Sequence, residues 1–264
     1  MITRSLEKAK EAYKNRNAEA SRAAHDAKVA EADEHHTQEQ GQYIKSLIYG
    51  GLDGIITTFA VVAGVAGADL AAGVVLILGF ANLIADGLSM AIGDFLSTKA
   101  EQEYKQTERV RETWEVENYP EGEKKEMIEL YMSKGLSEED ANKVVEILSQ
   151  NKEGWVDIMM VEELGLVEED ESPLKNALVT FFSFQIFGFI PLLAYVLARF
   201  IPALTANMFL TAAILTGVTL FALGALKTNV TEKNWFTSGL EMLIVGGIAA
   251  AAAYGIGALL SGLA

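Results

Sequence analysis

The chain has 264 residues, half of them hydrophobic, no cysteine and a net charge of −15. Without thiols there can be no disulfide, zinc–thiolate site or iron–sulfur cluster, and the acidic balance excludes a basic nucleic-acid-binding surface. The charge is segregated: residues 101–171 hold 22 acidic and 8 basic side chains, −14 of the total, so the chain reads as apolar membrane segments plus one acidic soluble insert.

In chain order, residues 1–40 form a polar N-terminal arm rich in Ala, Glu, Lys and Arg. With no wide apolar stripe, it is expected to be a solvated helix or a partly disordered arm, and not a cleavable signal peptide. The run Glu31-Ala-Asp-Glu-His-His36 fits either a divalent-metal site or a solvated charge run. Two apolar stretches follow within residues 41–99, at about 44–67 and 70–97, and three more within 174–264: Leu174–Phe200, Ala203–Leu226 and Phe236–Ser261. Each has the length and apolarity of a spanning helix, which needs about 20 residues. None shows the alternation of barrel strands. The fold class is therefore an all-α integral membrane protein of five transmembrane helices, with a small helical domain inserted between the second and third.

Lys45, Lys99, Lys105, Lys175, Lys227 and Lys233 fall on one side of such a bundle and Arg199 on the other. The excess of lysine predicts that the N-terminus and residues 100–173 are cytoplasmic. Within that insert the second span continues without a breaker to about Glu117, and Asn118-Tyr-Pro-Glu-Gly122 ends it. Further helices are expected at Glu123–Ser133, from Ser137 as N-cap, and at Gly154–Leu164, with stops at Gly135 and Gly165.

Asp53 is the first candidate for chemistry. A carboxylate inside a spanning stretch costs at least about 2.5 kcal/mol on insertion scales and usually marks an ion or proton path. The alternative is a capping or hydrogen-bonding role near one membrane face, where Gly50, Gly51 and Gly54 could leave backbone groups to satisfy. In the second span, Asn82, Asp86, Met90 and Asp94 recur every four residues, one stripe over roughly 18 Å. Asp94 also suits a place at the interface. Gln185 reads as a helix–helix hydrogen bond, and Glu241 has no assignment. In the insert, Glu112 with Glu115 and Glu123 with Glu126 are i,i+3 pairs. Glu163 follows Met159 and Met160 by one turn. Carboxylates suit hard cations and thioethers lean softer, so a mixed set is compatible with Fe(II) without selecting it. Solvated glutamates and core methionines would give the same pattern.

These residues resemble the vacuolar iron transporter family, which includes the yeast vacuolar iron/manganese importer. The resemblance covers about 44–264 and rests on Gly50-Gly-Leu-Asp-Gly54, Gly87-Leu-Ser-Met-Ala-Ile-Gly93, Glu101-Gln-Glu-Tyr104, the spaced Glu pairs and Trp155-Val-Asp-Ile-Met-Met-Val-Glu-Glu-Leu-Gly-Leu166. It implies a homodimer that exchanges cytosolic Fe(II) for protons along a path between subunits, with Asp53 and Met90 in the path. It also implies a cytosolic domain that gathers metal on Glu112, Glu115, Glu123, Glu126, Met159, Met160 and Glu163. The chain departs from the plant pattern at Asn82, where that pattern has glutamate, and at Ser46, where it often has an acid. Asp86, one turn beyond Asn82, is placed to replace the lost charge.

The expected function is a divalent-metal/proton antiporter moving Fe(II), with Mn(II) as a second cargo, out of the cytosol into an acidic vacuole-like compartment or across a prokaryotic plasma membrane. Membrane lipid, protons and divalent ions are its partners. The metal is substrate, with no prosthetic group. A manganese or broad divalent exporter shares the architecture, and a membrane-tethered sensor or buffer that does not transport would need only the insert. No nucleophile–base constellation or nucleotide loop marks an enzyme.

Overall fold

The computed structural model describes residues 6–26, 32–167, 172–231 and 233–263. Helices account for nearly all of them, and no strand occurs among the described residues. The chain divides into two compact units, Met1–Ile92 with Asn176–Ala264, and Gly93–Lys175.

In the first unit the polar arm forms α1 (Leu6–Lys14) and α2 (Ala18–Asp26). The Asn17 side chain caps α2 by accepting from the Glu19 and Ala20 amides at 3.0 Å. The helix carrying the first span, α3 (Ala32–Gly67), begins well before the apolar stretch. The Glu31–His36 metal candidate lies outside the described side chains. The second span opens α4 (Ala72–Asn118).

Four helices of the insert lie in the second unit: the end of α4, then α5 (Pro120–Ser133), α6 (Glu138–Leu148) and α7 (Lys152–Glu162). Only Tyr119 separates α4 from α5, because Pro120 starts a helix at its first position, where its missing N–H costs nothing. The Ser137 hydroxyl accepts from the Asp140 amide at 3.2 Å and caps α6. Asn151 does the same for α7, accepting from Gly154 N at 3.1 Å. Gly135 (φ 100°) and Gly165 (φ 67°) hold the left-handed turns after α5 and α7. The core of this unit is Val116, Met127, Val145, Trp155, Val156, Met159 and Met160.

With α8 (Pro173–Leu197), which enters the first unit at Asn176, α9 (Met208–Thr231) and α10 (Trp235–Leu260), the described residues hold five helices long and apolar enough to cross a membrane. The fourth starts later than its apolar stretch. Residues Pro202–Asn207 form a 3₁₀ turn instead, in which Thr205 Oγ1 donates to the Pro202 carbonyl at 2.6 Å.

Phe59, Val62, Leu83, Phe184, Leu192 and Ala212 centre one core cluster of the bundle, and Ile55, Leu220, Leu223 and Met242 form another. Glycines on α3 allow the helices this close. A Cβ on Gly50 would lie 2.6 Å from the Thr180 carbonyl oxygen, and one on Gly54 2.5 Å from that of Phe184. Both glycines thus sit in close contact with α8.

Candidate functional site

Asp53 sits half-buried on α3. Thr57, one turn on, donates its hydroxyl proton to the Asp53 carbonyl at 2.8 Å. The Asn82 side-chain Nδ2 on α4 lies 3.4 Å from that same hydroxyl oxygen. Asp86 follows Asn82 by a turn and is close enough to Asp53 for their charges to interact. Asn82, Asp86 and Met90 are all half-buried, while Ile77, Ile84, Leu88 and Ile92 on the same helix are exposed. Asp53, Asn82 and Asp86 are therefore only partly covered by the chain, beside an apolar face of α4, while Met90 packs against the core cluster of the bundle.

Gln185 donates from Nε2 to the Leu83 carbonyl at 2.5 Å, a helix–helix bond rather than a ligand position. Glu241 pairs with Lys227 at 3.8 Å. Asp94 belongs to the other unit.

In the second unit, α4, α5 and α7 bring five glutamates together. Carboxylate oxygens of Glu112, Glu115 and Glu123 lie within 4.8 Å of one another, and so do those of Glu123, Glu126 and Glu163. Glu123 belongs to both triads. Glu112 and Glu123 are buried, 2 % and 4 % exposed, while Glu126 and Glu163 are exposed at the rim. Glu112 Oε1 and Glu123 Oε2 are shut from solvent without a hydrogen-bond partner among the described residues. A buried carboxylate in that state is costly, and protonation lowers the cost. Burial, a hydrogen bond donated to Glu112 and repulsion from Glu112, Glu126 and Glu115 push the Glu123 carboxyl up to about 8. Burial also raises Glu112, with Glu163 and Glu115 adding repulsion. Glu163 is raised by burial and by the charges of Glu126 and Glu123.

Arg111 is the cation set against this group, lowering Glu112 and Glu163. It pairs with Glu108 at 2.7 Å and Glu115 at 3.7 Å. Met159 and Met160 are fully buried in the apolar core, one turn before Glu163, which caps the C-terminus of α7. The arrangement is an oxygen-rich cluster whose donor set suits a hard divalent cation, which would have to displace protons to bind. Sequence reasoning passed over Thr57 and Arg111. The i,i+4 spacing of Asp53 with Thr57, and of Arg111 with Glu115, was the available signal.

The VIT family model matches residues 44–258. The chain belongs to the VIT family. Among its relatives, the protein named vacuolar iron transporter from Toxoplasma gondii is 43 % identical over 97 % of this chain and 89 % of its own length. The protein of the same name from Plasmodium falciparum is 38 % identical over 98 % of each chain. Vacuolar iron transporter 1 of Oryza sativa subsp. japonica is 35 % identical over 87 % of this chain and 91 % of its own length. The VIT match takes in both the membrane-level residues and the glutamate group.

Proposed function

We propose that this VIT family member moves Fe(II) out of the cytosol across a vacuole-like or prokaryotic plasma membrane in exchange for protons, with Mn(II) as a second cargo. The observation that carries the reading is the juxtaposition of Asp53 with Asp86 and Asn82 between α3 and α4. Two interacting carboxylates at membrane level are expensive unless they bind a cation or a proton in turn. That alternation is what antiport requires. The names of the relatives support iron as cargo.

Asp53, Asn82 and Asp86 are only partly covered by the chain, beside exposed Ile84 and Leu88. A second copy related by a two-fold axis would enclose them and double every polar group. Gly50 and Gly54 do not argue for that dimer, since they are occupied within the chain. The face of α4 does. The insert, on this reading, is cytoplasmic. Glu112, Glu115, Glu123, Glu126 and Glu163 collect metal there, with Met159 or Met160 as softer donors, and raise the local cation concentration. A buffer that does not transport would leave the Asp53–Asp86 pair without purpose.

Flux into proteoliposomes with Fe(II), Mn(II), Co(II) and Zn(II), with internal pH recorded, tests the proposal. Fe(II) uptake accompanied by proton efflux is expected. Metal binding with no flux would establish the buffer reading, and Mn(II) flux without Fe(II) flux the manganese exporter.

A further inference from the structure

Thr57 is half-buried on α3, faces α4 and carries one hydroxyl proton. Two partners compete for that hydroxyl: the Asp53 carbonyl at 2.8 Å and the Asn82 amide at 3.4 Å. The shorter contact takes the proton, in the usual back-bond of a helical threonine to the carbonyl one turn earlier. What Thr57 has left to offer Asn82 is a lone pair. Only an N–H can meet a lone pair, so Asn82 must turn its Nδ2 toward α3, and its Oδ1 is held away from Thr57. An amide can point either end at a neighbour, and here one orientation is selected.

We propose that Thr57 is a positioning residue that locks the Asn82 amide so that Oδ1 serves as a neutral ligand to the transported divalent cation. This rests on the path reading above. An amide carbonyl oxygen is a good ligand for a hard divalent cation. The reversed amide would aim two N–H donors at the same cation and repel it. A carboxylate at this position would need no such device, because both of its oxygens can ligate. With an amide rather than a carboxylate at position 82, charge compensation falls to Asp53 and Asp86.

The test is Fe(II) flux against Fe(II) concentration in proteoliposomes holding equal amounts of inserted protein. Thr57→Val, Thr57→Ser, Asn82→Leu and the Thr57→Val/Asn82→Leu double variant are compared with the parent. Losing one orienting hydrogen bond should raise KM about five- to tenfold in Thr57→Val, with kcat within about twofold of the parent. Thr57→Ser should restore the parental KM. The double variant should be no worse than Asn82→Leu alone, since the hydroxyl acts only through the amide. Fully additive effects, a parental KM in Thr57→Val, or failure of serine to rescue would each overturn the inference. Asp53→Asn in the same assay separates the two levels. If it abolishes flux while the Thr57 and Asn82 effects add, the path stands and the positioning role is lost. If it leaves flux at the parental rate, the path reading fails and takes the Thr57 role with it.

Discussion

The insert and the membrane bundle both hold carboxylates away from bulk water, and they manage the cost in different ways. The insert crowds five glutamates into two triads sharing Glu123, with Arg111 beside them. It relieves the repulsion by keeping protons: Glu123 is pushed up to about 8 and so is largely protonated at neutral pH. The bundle instead sets two aspartates within reach of each other's charge, with uncharged Asn82 and Met90 one turn either side of Asp86 on α4. Many charged ligands favour capture, whereas few charges and neutral ligands favour release. On the proposed function, the insert is a collecting station and the bundle a passage.

The sharpest way to break this comparison is Asp53→Asn, which keeps shape and removes the charge. Flux should fall about 100-fold or more, while metal binding by the insert, measured by calorimetry on the intact chain, stays parental. Parental flux in a folded, inserted variant would end the passage assignment. The converse variant replaces Glu112, Glu115, Glu123, Glu126 and Glu163 with alanine together. It should lose most of the calorimetric metal uptake and raise the transport KM about tenfold, leaving kcat nearly unchanged. Unchanged binding would sink the collecting role.

A smaller effect comes from pH. Glu123 titrates higher folded than its ordinary value of 4.5, so its contribution to stability is complete below about pH 4.5 and is lost as pH rises through about 8. The melting temperature of the metal-free protein should therefore drop between pH 6 and pH 9. The shift should shrink in Glu123→Gln, with Glu112 and Glu163 leaving a remainder, and metal affinity should rise over the same interval by up to about tenfold per pH unit as one proton is displaced. Smallest is Met90→Leu. Losing a soft sulfur should reduce Fe(II) flux a few-fold more than Mn(II) flux, and equal losses would remove Met90 from selectivity.

Much of the fold is legible in the sequence because apolar length alone marks a spanning helix, and because Ser137, Gly135 and Gly165 punctuate the insert locally. The errors have local causes too. Pro120 and Asn151 start helices earlier than the hydrophobic pattern, and Pro202 opens a 3₁₀ turn inside an apolar run that reads as helix. The i,i+3 spacing pairs Glu112 with Glu115 and Glu123 with Glu126. That α4, α5 and α7 bring these pairs together is a tertiary fact no spacing contains. Gly50 and Gly54 show the same limit from the other side. Small residues announce a close approach, but the partner is α8 of the same chain. Thr57 escaped notice because threonine is unremarkable in an apolar helix until the residue facing it is known.

The chain has three tryptophans. Trp114 and Trp235 are exposed, whereas Trp155 is 2 % exposed in the core with Met159 and Met160, its indole N–H without a hydrogen-bond partner among the described residues. It precedes Glu163, the C-cap of α7, by about two turns. A dry indole emits at shorter wavelength than a wet one, and a paramagnetic ion nearby quenches it. On the proposed function, the protein carries its own gauge of loading. Fluorescence from Trp155 will follow the filling of the glutamate group without a dye, and Trp155→Phe will silence that signal while Trp114 and Trp235 continue to shine.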